Sequence, residues 1–463
     1  MKKYVSMLLV LVLVLGLFAG CANEPAETTA PATGEIPTTE AIPETDPTEE
    51  TEPQLSAEEE LLAQMNAIIS DPEHPLMAAA IGVIKDGEII FAEAVGDMNL
   101  NGDPATGDTK YRIASISKLN TAIAAWQLIE QGLIDPDADA SEYLGFELRN
   151  PNFPDTPITV RMIMSHTSSI REGNYNIPYG QHISDYFTPG NIYYYKDCWA
   201  PETEAPGEFF EYCNMNYCLM GTIIERVSGE RFDRYMVKHI YEPMGLSCSF
   251  NVSEMSPEAQ AQIGTLYRKF NAAGQYDPVN GKWTAQCDDF TNGYPNVDYS
   301  DYEIGTNGSL FGPMGSLRVS TRELCEIMLM FCNGGSYNGV QILKPETIEA
   351  MFTPVWTYDP ELENGDTYWG LMNCYGMGPH IFTNTDFGDR MIVGQDLPFA
   401  GHTAEAYGLL GGMGFDRETG NGIVYIVAGT GCDMDTYYGE YSAFYGWEEA
   451  LLTAGITYAE FEY

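Results

Sequence analysis

YRIASISKLNTAIAAWQLIEQGLID, residues 111–135, sets Ser115 and Lys118 three positions apart at the head of an apolar, helix-forming run. The run reads as a helix from Ser115 to Gln131, closed by Gly132. Residues three apart share a helix face, so hydroxyl and amine are neighbours. Ser115 in the first turn lies near free backbone N–H groups and the positive end of the helix dipole. An oxyanion forming there is stabilised. A serine hydroxyl is a weak nucleophile until a base takes its proton. Lysine serves as that base only when neutral, which requires burial or neighbouring positive charge. A bare Ser-x-x-Lys pair also arises from a capping serine beside a solvated lysine, so the remaining sequence decides.

Five further stretches follow in order: ITVRMIMSHTSSI (158–170), PGEFFEYCNMNYCLMGTIIERVSGE (206–230), PMGSLRVSTREL (313–324), NGGSYNGVQILKPETIEAMFTP (333–354) and GHTAEAYG (401–408). Together with the first they closely resemble the serine β-lactamase and penicillin-binding-protein superfamily. The branch is that of class C β-lactamases, D-alanyl-D-alanine carboxypeptidases, esterases and D-aminopeptidases. The resemblance covers about residues 76–430. It implies Ser115 as nucleophile, Lys118 as base and Tyr212 as proton shuttle. It also implies that Asn214 holds Lys118 and the substrate amide. For the third motif it implies that His402, Thr403, Ala404 and Glu405 bind substrate, with the Glu405 N–H as a second oxyanion donor. No metal or organic cofactor is implied.

The residues add their own expectations. Tyr212 and Asn214 are two apart, so in extended chain they face one side and Cys213 the other. A phenol with a depressed pKa would suit acid–base work. His402 stands where class C enzymes carry lysine, and its charge should vary near neutral pH. Ala404 replaces a glycine that lets substrate approach an edge strand, so its methyl should narrow the groove. His166 fits a local structural role better than a second base, and Tyr407 fits either a groove wall or packing. The chain has no His-Glu-x-x-His, Gly-x-Ser-x-Gly or P-loop signature.

The expected fold is α/β (α+β), a mainly antiparallel sheet flanked by helices. Asp86-Gly87 marks a hairpin between two early apolar runs, and 409–430 holds two late strands. Early and late strands around a long middle imply one sheet built from both ends. A mostly helical insert then spans about 133–355. Ser56 with Glu59 forms a capping box that opens the domain, 55–463.

Residues 1–20 read as a lipoprotein-type signal peptide: Lys2 and Lys3, an apolar run, then Cys21 as the lipidated residue. Residues 21–54, rich in Pro, Thr and Glu, cannot bury a core and read as a disordered stalk. The protein is thus expected to be exported and lipid-anchored, at the outer face of a bacterial cytoplasmic membrane or in the envelope. Net charge of −45 argues against nucleic acid and leaves the Cys21 lipid as the sole membrane contact. Of ten cysteines nine remain after Cys21, an odd number that leaves at least one thiol free. The expected function is a serine hydrolase acting through an acyl-enzyme on an amide or ester. Its partner is a small-molecule or peptide substrate, such as a peptidoglycan stem peptide. A non-turnover penicillin-binding sensor, an inactive surface binding protein and a β-lactamase are the rivals.

Overall fold

The strand LMAAAIGVIK sorts its side chains by parity. Ala79, Ile81 and Val83 enter one apolar cluster; Ala78, Ala80 and Ile84 enter another. A strand buried on both faces must lie between two layers. The computed structural model describes residues 55–463, which form one unit. The expectations for 1–54, including Cys21, fall outside the described residues.

Strands β1 (Leu76–Lys85) and β2 (Glu88–Gly96) meet at Asp86 and Gly87, with φ of 51° and 78°. Two successive positive φ values make the type I′ turn that matches strand twist. The later strands are β3 (Trp356–Thr357), β4 (Cys374–Tyr375), β5 (His380–Ile381), β6 (Ala400–Ala406), β7 (Leu409–Asp416) and β8 (Asn421–Thr430). The antiparallel order is β2-β1-β8-β7-β6-β5-β4-β3. Ile81 pairs with Tyr425, which joins the two ends of the chain at the sheet centre.

Five helices matter for the site: α1 (Ala57–Ile69), α2 (Ile116–Glu130), α3 (Asn214–Ser228), α4 (Thr321–Cys332) and α5 (Gly446–Ala459). The Ser56–Glu59 capping box is formed in both directions. Helices α1 and α5 cover one sheet face through Leu61, Met65, Trp447 and Leu451. On the other face α4 lies against β1 and β2, and α2 against β6. A methyl at Gly82 would come within 2.5 Å of Cys325 Sγ, so glycine lets α4 approach the sheet.

The middle region is less uniform than expected. It holds α3, a hairpin of Leu266–Phe270 and Lys282–Cys287, and the strand Arg318–Ser320, which pairs with Lys110–Arg112 from before it. Its last long helix, α4, belongs to the sheet layer rather than to an insert, because its apolar face covers β1. Among the described residues the nine cysteines are all free, and seven are buried. No described helix is long and apolar enough to cross a membrane.

Candidate active site

Helix α2 is buried on every side, with Ile116 to Trp126 all enclosed. A helix enclosed on every side runs through the core, and it carries Lys118 in with it. The turn before it is strained: Ala114 has φ of 46°, a region L-residues enter at a cost of about 1–2 kcal/mol. Ser115 follows as the N-cap, but its hydroxyl makes no capping hydrogen bond. It is therefore free for other work.

Lys118 Nζ donates to three oxygens: Ser115 Oγ at 2.9 Å, Asn214 Oδ1 at 2.6 Å and Met314 O at 2.8 Å. Burial pushes its pKa down to about 7, against a smaller upward pull from the Glu172 carboxylate. Near neutrality much of the lysine is uncharged. The amide oxygen and the carbonyl accept only, so they occupy two N–H bonds of a neutral amine. Its lone pair is left facing the one partner with a proton to give, Ser115.

Asn214 opens α3 and is held by Glu172. Its backbone N–H donates to Glu172 Oε2, and its Nδ2 donates to Oε1 at 2.8 Å. A carboxylate accepts only, so this contact assigns the amide: nitrogen toward Glu172, oxygen toward Lys118. The same carboxylate sits at the N-terminus of α3, where negative charge is favoured. Glu172 is absent from the sequence-level site. One carboxylate in a chain with 67 acidic residues gives no local signal, and its partner lies 42 positions away.

A cleft of about 220 Å³ opens above Ser115. Asn214, Tyr175, Arg112, Glu405 and Tyr407 line it. Tyr407 is half-exposed, with the Arg112 guanidinium 4.9 Å from its ring centre.

A sequence model of the Beta-lactamase family matches residues 60–442. The chain belongs to the Beta-lactamase family. It is 27% identical to Protein flp of Staphylococcus aureus (strain MRSA252) over 199 residues, 40% of this chain and 37% of that protein. It thus spans well under half the length of that curated relative. The D-amino acid amidase of Ochrobactrum anthropi SV3 has the same fold, with TM-score 0.58 and 18% identity over 85% of this chain and 98% of that one. So has a Beta-lactamase/D-alanine Carboxypeptidase of Yersinia pestis, with TM-score 0.58 and 16% identity over 87% and 97%. The chain is therefore a member of a family of hydrolases.

Within this Beta-lactamase-family chain the other nominated residues divide. Tyr212 lies over Lys118, whose Nζ is 4.8 Å from the ring centre. Cys213 between Tyr212 and Asn214 is extended, with φ −142° and ψ 120°, and is buried. The expected depressed pKa of Tyr212 is corrected. Burial pushes the phenol well up, and the nearby Ser115 hydroxyl offsets this only in part. The Tyr212 hydroxyl lies close to Ser115 without meeting the geometry of a hydrogen bond, and it has no other partner. A neutral phenol is a proton donor, not a resting base.

His402 is corrected more strongly. It is fully buried and does not line the cleft. Its Nδ1 donates to Thr403 O at 2.6 Å, so its Nε2 accepts from Tyr375 Oη at 2.9 Å. Burial, reinforced by Lys118, holds its pKa down to about 3. Its charge therefore does not vary near neutral pH, and it braces β6 against β4. Thr403 is buried beside it, outside the cleft lining. The Ala404 methyl points into the apolar core rather than the groove, so it does not narrow the groove. Of His402, Thr403, Ala404 and Glu405, only Glu405 lines the cleft, followed by Ala406 and Tyr407.

His166 serves the site from behind. Its Nδ1 accepts from Cys213 N–H at 3.1 Å, and its ring stacks on Tyr212 with centres 4.4 Å apart. Burial keeps it neutral, with a pKa well below the usual value. Among the described residues no cluster of side chains has the makings of a metal site.

Proposed function

We propose that this protein is a serine hydrolase that forms an acyl-enzyme at Ser115. The observation that carries the reading is the 2.9 Å contact between Ser115 Oγ and a buried Lys118 whose pKa is near 7. Neutral Lys118 takes the Ser115 proton as Oγ bonds to the substrate carbonyl carbon. Backbone N–H groups of Ser115 and Glu405 hold the oxyanion. Tyr212 gives its proton to the leaving nitrogen or oxygen and regains one from the Lys118 ammonium. Water then attacks the ester, with the same groups moving protons in reverse. The raised Tyr212 pKa supports the donor role.

The substrate is an amide or ester of which only a small portion enters the cleft. A cleft of about 220 Å³ is below the roughly 300–1,000 Å³ of drug-sized sites. The fold shared with a D-amino acid amidase and a D-alanine carboxypeptidase supports a D-amino-acid-containing cell-wall peptide. Export with a lipid on Cys21 would bring the site to that substrate, a part of the reading that a Cys21→Ser variant still sedimenting with membranes would sink.

Fluorescent penicillin or an active-serine phosphonate is expected to label the wild type and leave Ser115→Ala unlabelled. Undiminished labelling of Ser115→Ala removes Ser115 from its role. A screen against D-amino-acid amides, D-Ala-D-Ala peptides and short esters then identifies the acyl donor.

A further inference from the structure

Glu172 touches neither Ser115 nor Lys118, yet both its oxygens are committed to Asn214. Its loop is anchored on each side. The Arg171 N–H donates to Cys198 O at 2.8 Å and its guanidinium pairs with Glu204. Gly173 lies against the face of Tyr195, where an added methyl would come within 2.5 Å of the ring. The carboxylate is thus fixed by its neighbours in sequence and spent on a single residue. We propose that Glu172 is a positioning residue: it locks the Asn214 amide with its oxygen toward Lys118 and so keeps the amine aimed at Ser115. This rests on the serine-hydrolase reading.

The physical reason is directional. Asn214 presents two donors to Glu172, its backbone N–H and its Nδ2. Only a group that accepts at both oxygens satisfies them together. A glutamine there accepts at one atom and donates at the other. The Asn214 amide must then turn over to meet it, which sets Nδ2–H against Lys118. Charge acts alongside direction. The groups facing Lys118 are the Glu172 carboxylate, the phenols of Tyr212 and Tyr217, the thiols of Cys213 and Cys218, and the imidazoles of His166 and His402. Burial pushes the phenol and thiol pKa values up and the imidazole values down, leaving all of them neutral. Glu172 supplies the negative charge and favours the ammonium.

The test compares full-length wild type, Glu172→Gln and Glu172→Asp. It measures serine acylation rate against pH, thermal stability, and direct NMR titration of the Lys118 amine. In Glu172→Gln the plateau rate is expected to fall at least about tenfold, as for a misdirected base. The lysine titration is expected to move down by about one pH unit with the charge removed. The loss falls mainly on kcat, with a smaller rise in KM from the turned Asn214 amide. Glu172→Asp keeps the charge, so its lysine titration stays at the wild-type position while the rate is intermediate. An unmoved titration in Glu172→Gln, or a loss confined to KM, overturns the proposal. Should Glu172→Gln fail to fold, Glu172→Asp decides: a wild-type rate in that shorter side chain also overturns it. The amine titration needs no turnover. A wild type that never acylates therefore counts against the hydrolase reading, whereas an unmoved titration counts against Glu172.

Discussion

Replacing Lys118 with methionine should favour the variant's stability over the wild type's progressively more as pH falls. The lysine pKa is about 7 in the fold against 10.5 for a free side chain. Between those values the unfolded chain holds a proton that the folded chain lacks, so stability from this group rises with pH. Above about pH 10.5 both states are neutral and burial costs nothing; below about 7 the full penalty applies. At about 1.4 kcal/mol per unit the full penalty is of order 5 kcal/mol. Between about pH 9.5 and 6.5 it changes by roughly 3 kcal/mol. Lys118→Met removes that dependence. It also strands the Asn214 and Met314 oxygens, a loss that does not vary with pH. Urea unfolding of both proteins at several pH values gives the difference curve. A difference constant to within about 1 kcal/mol across that range would falsify the assignment of a depressed amine. The same variant should never acylate.

Tyr212→Phe should slow acylation and turnover by about 10²–10⁴-fold. Its hydroxyl has no hydrogen-bond partner to lose, so the melting temperature should hardly change; a large drop would give Tyr212 a structural role instead. Ala404→Gly should lower stability by about 1 kcal/mol through backbone entropy and a lost core methyl. Its KM should match the wild type in a standard saturation series, because that methyl lies in the core. A lowered KM would return the residue to the groove.

The Ser115–Lys118 contact was legible because helix geometry alone brings i and i+3 together. The Asn214–Lys118 contact needed the order of motifs. The hairpin at Asp86-Gly87, the late strand pair and the capped first helix were legible because turn and cap residues act locally. What remained hidden depends on chain far away. His402 reads as a groove residue until Tyr375, 27 positions earlier, covers its ring. Tyr212 reads as an activated phenol until the depth of its burial is known. Glu172 carries no signal of its own until α3 brings Asn214 against it. An amphipathic helix does not declare which layer it will cover, and α4 covers the sheet.

Ala114, with its left-handed backbone, sits where glycine would rest without penalty. Glycine would also let the chain before the nucleophile wander among other conformers. The alanine thus exchanges a little native-state comfort for a hydroxyl delivered at one angle. A search for thermostable variants would find Ala114→Gly attractive, and it is the substitution such a search should examine first for lost precision of attack.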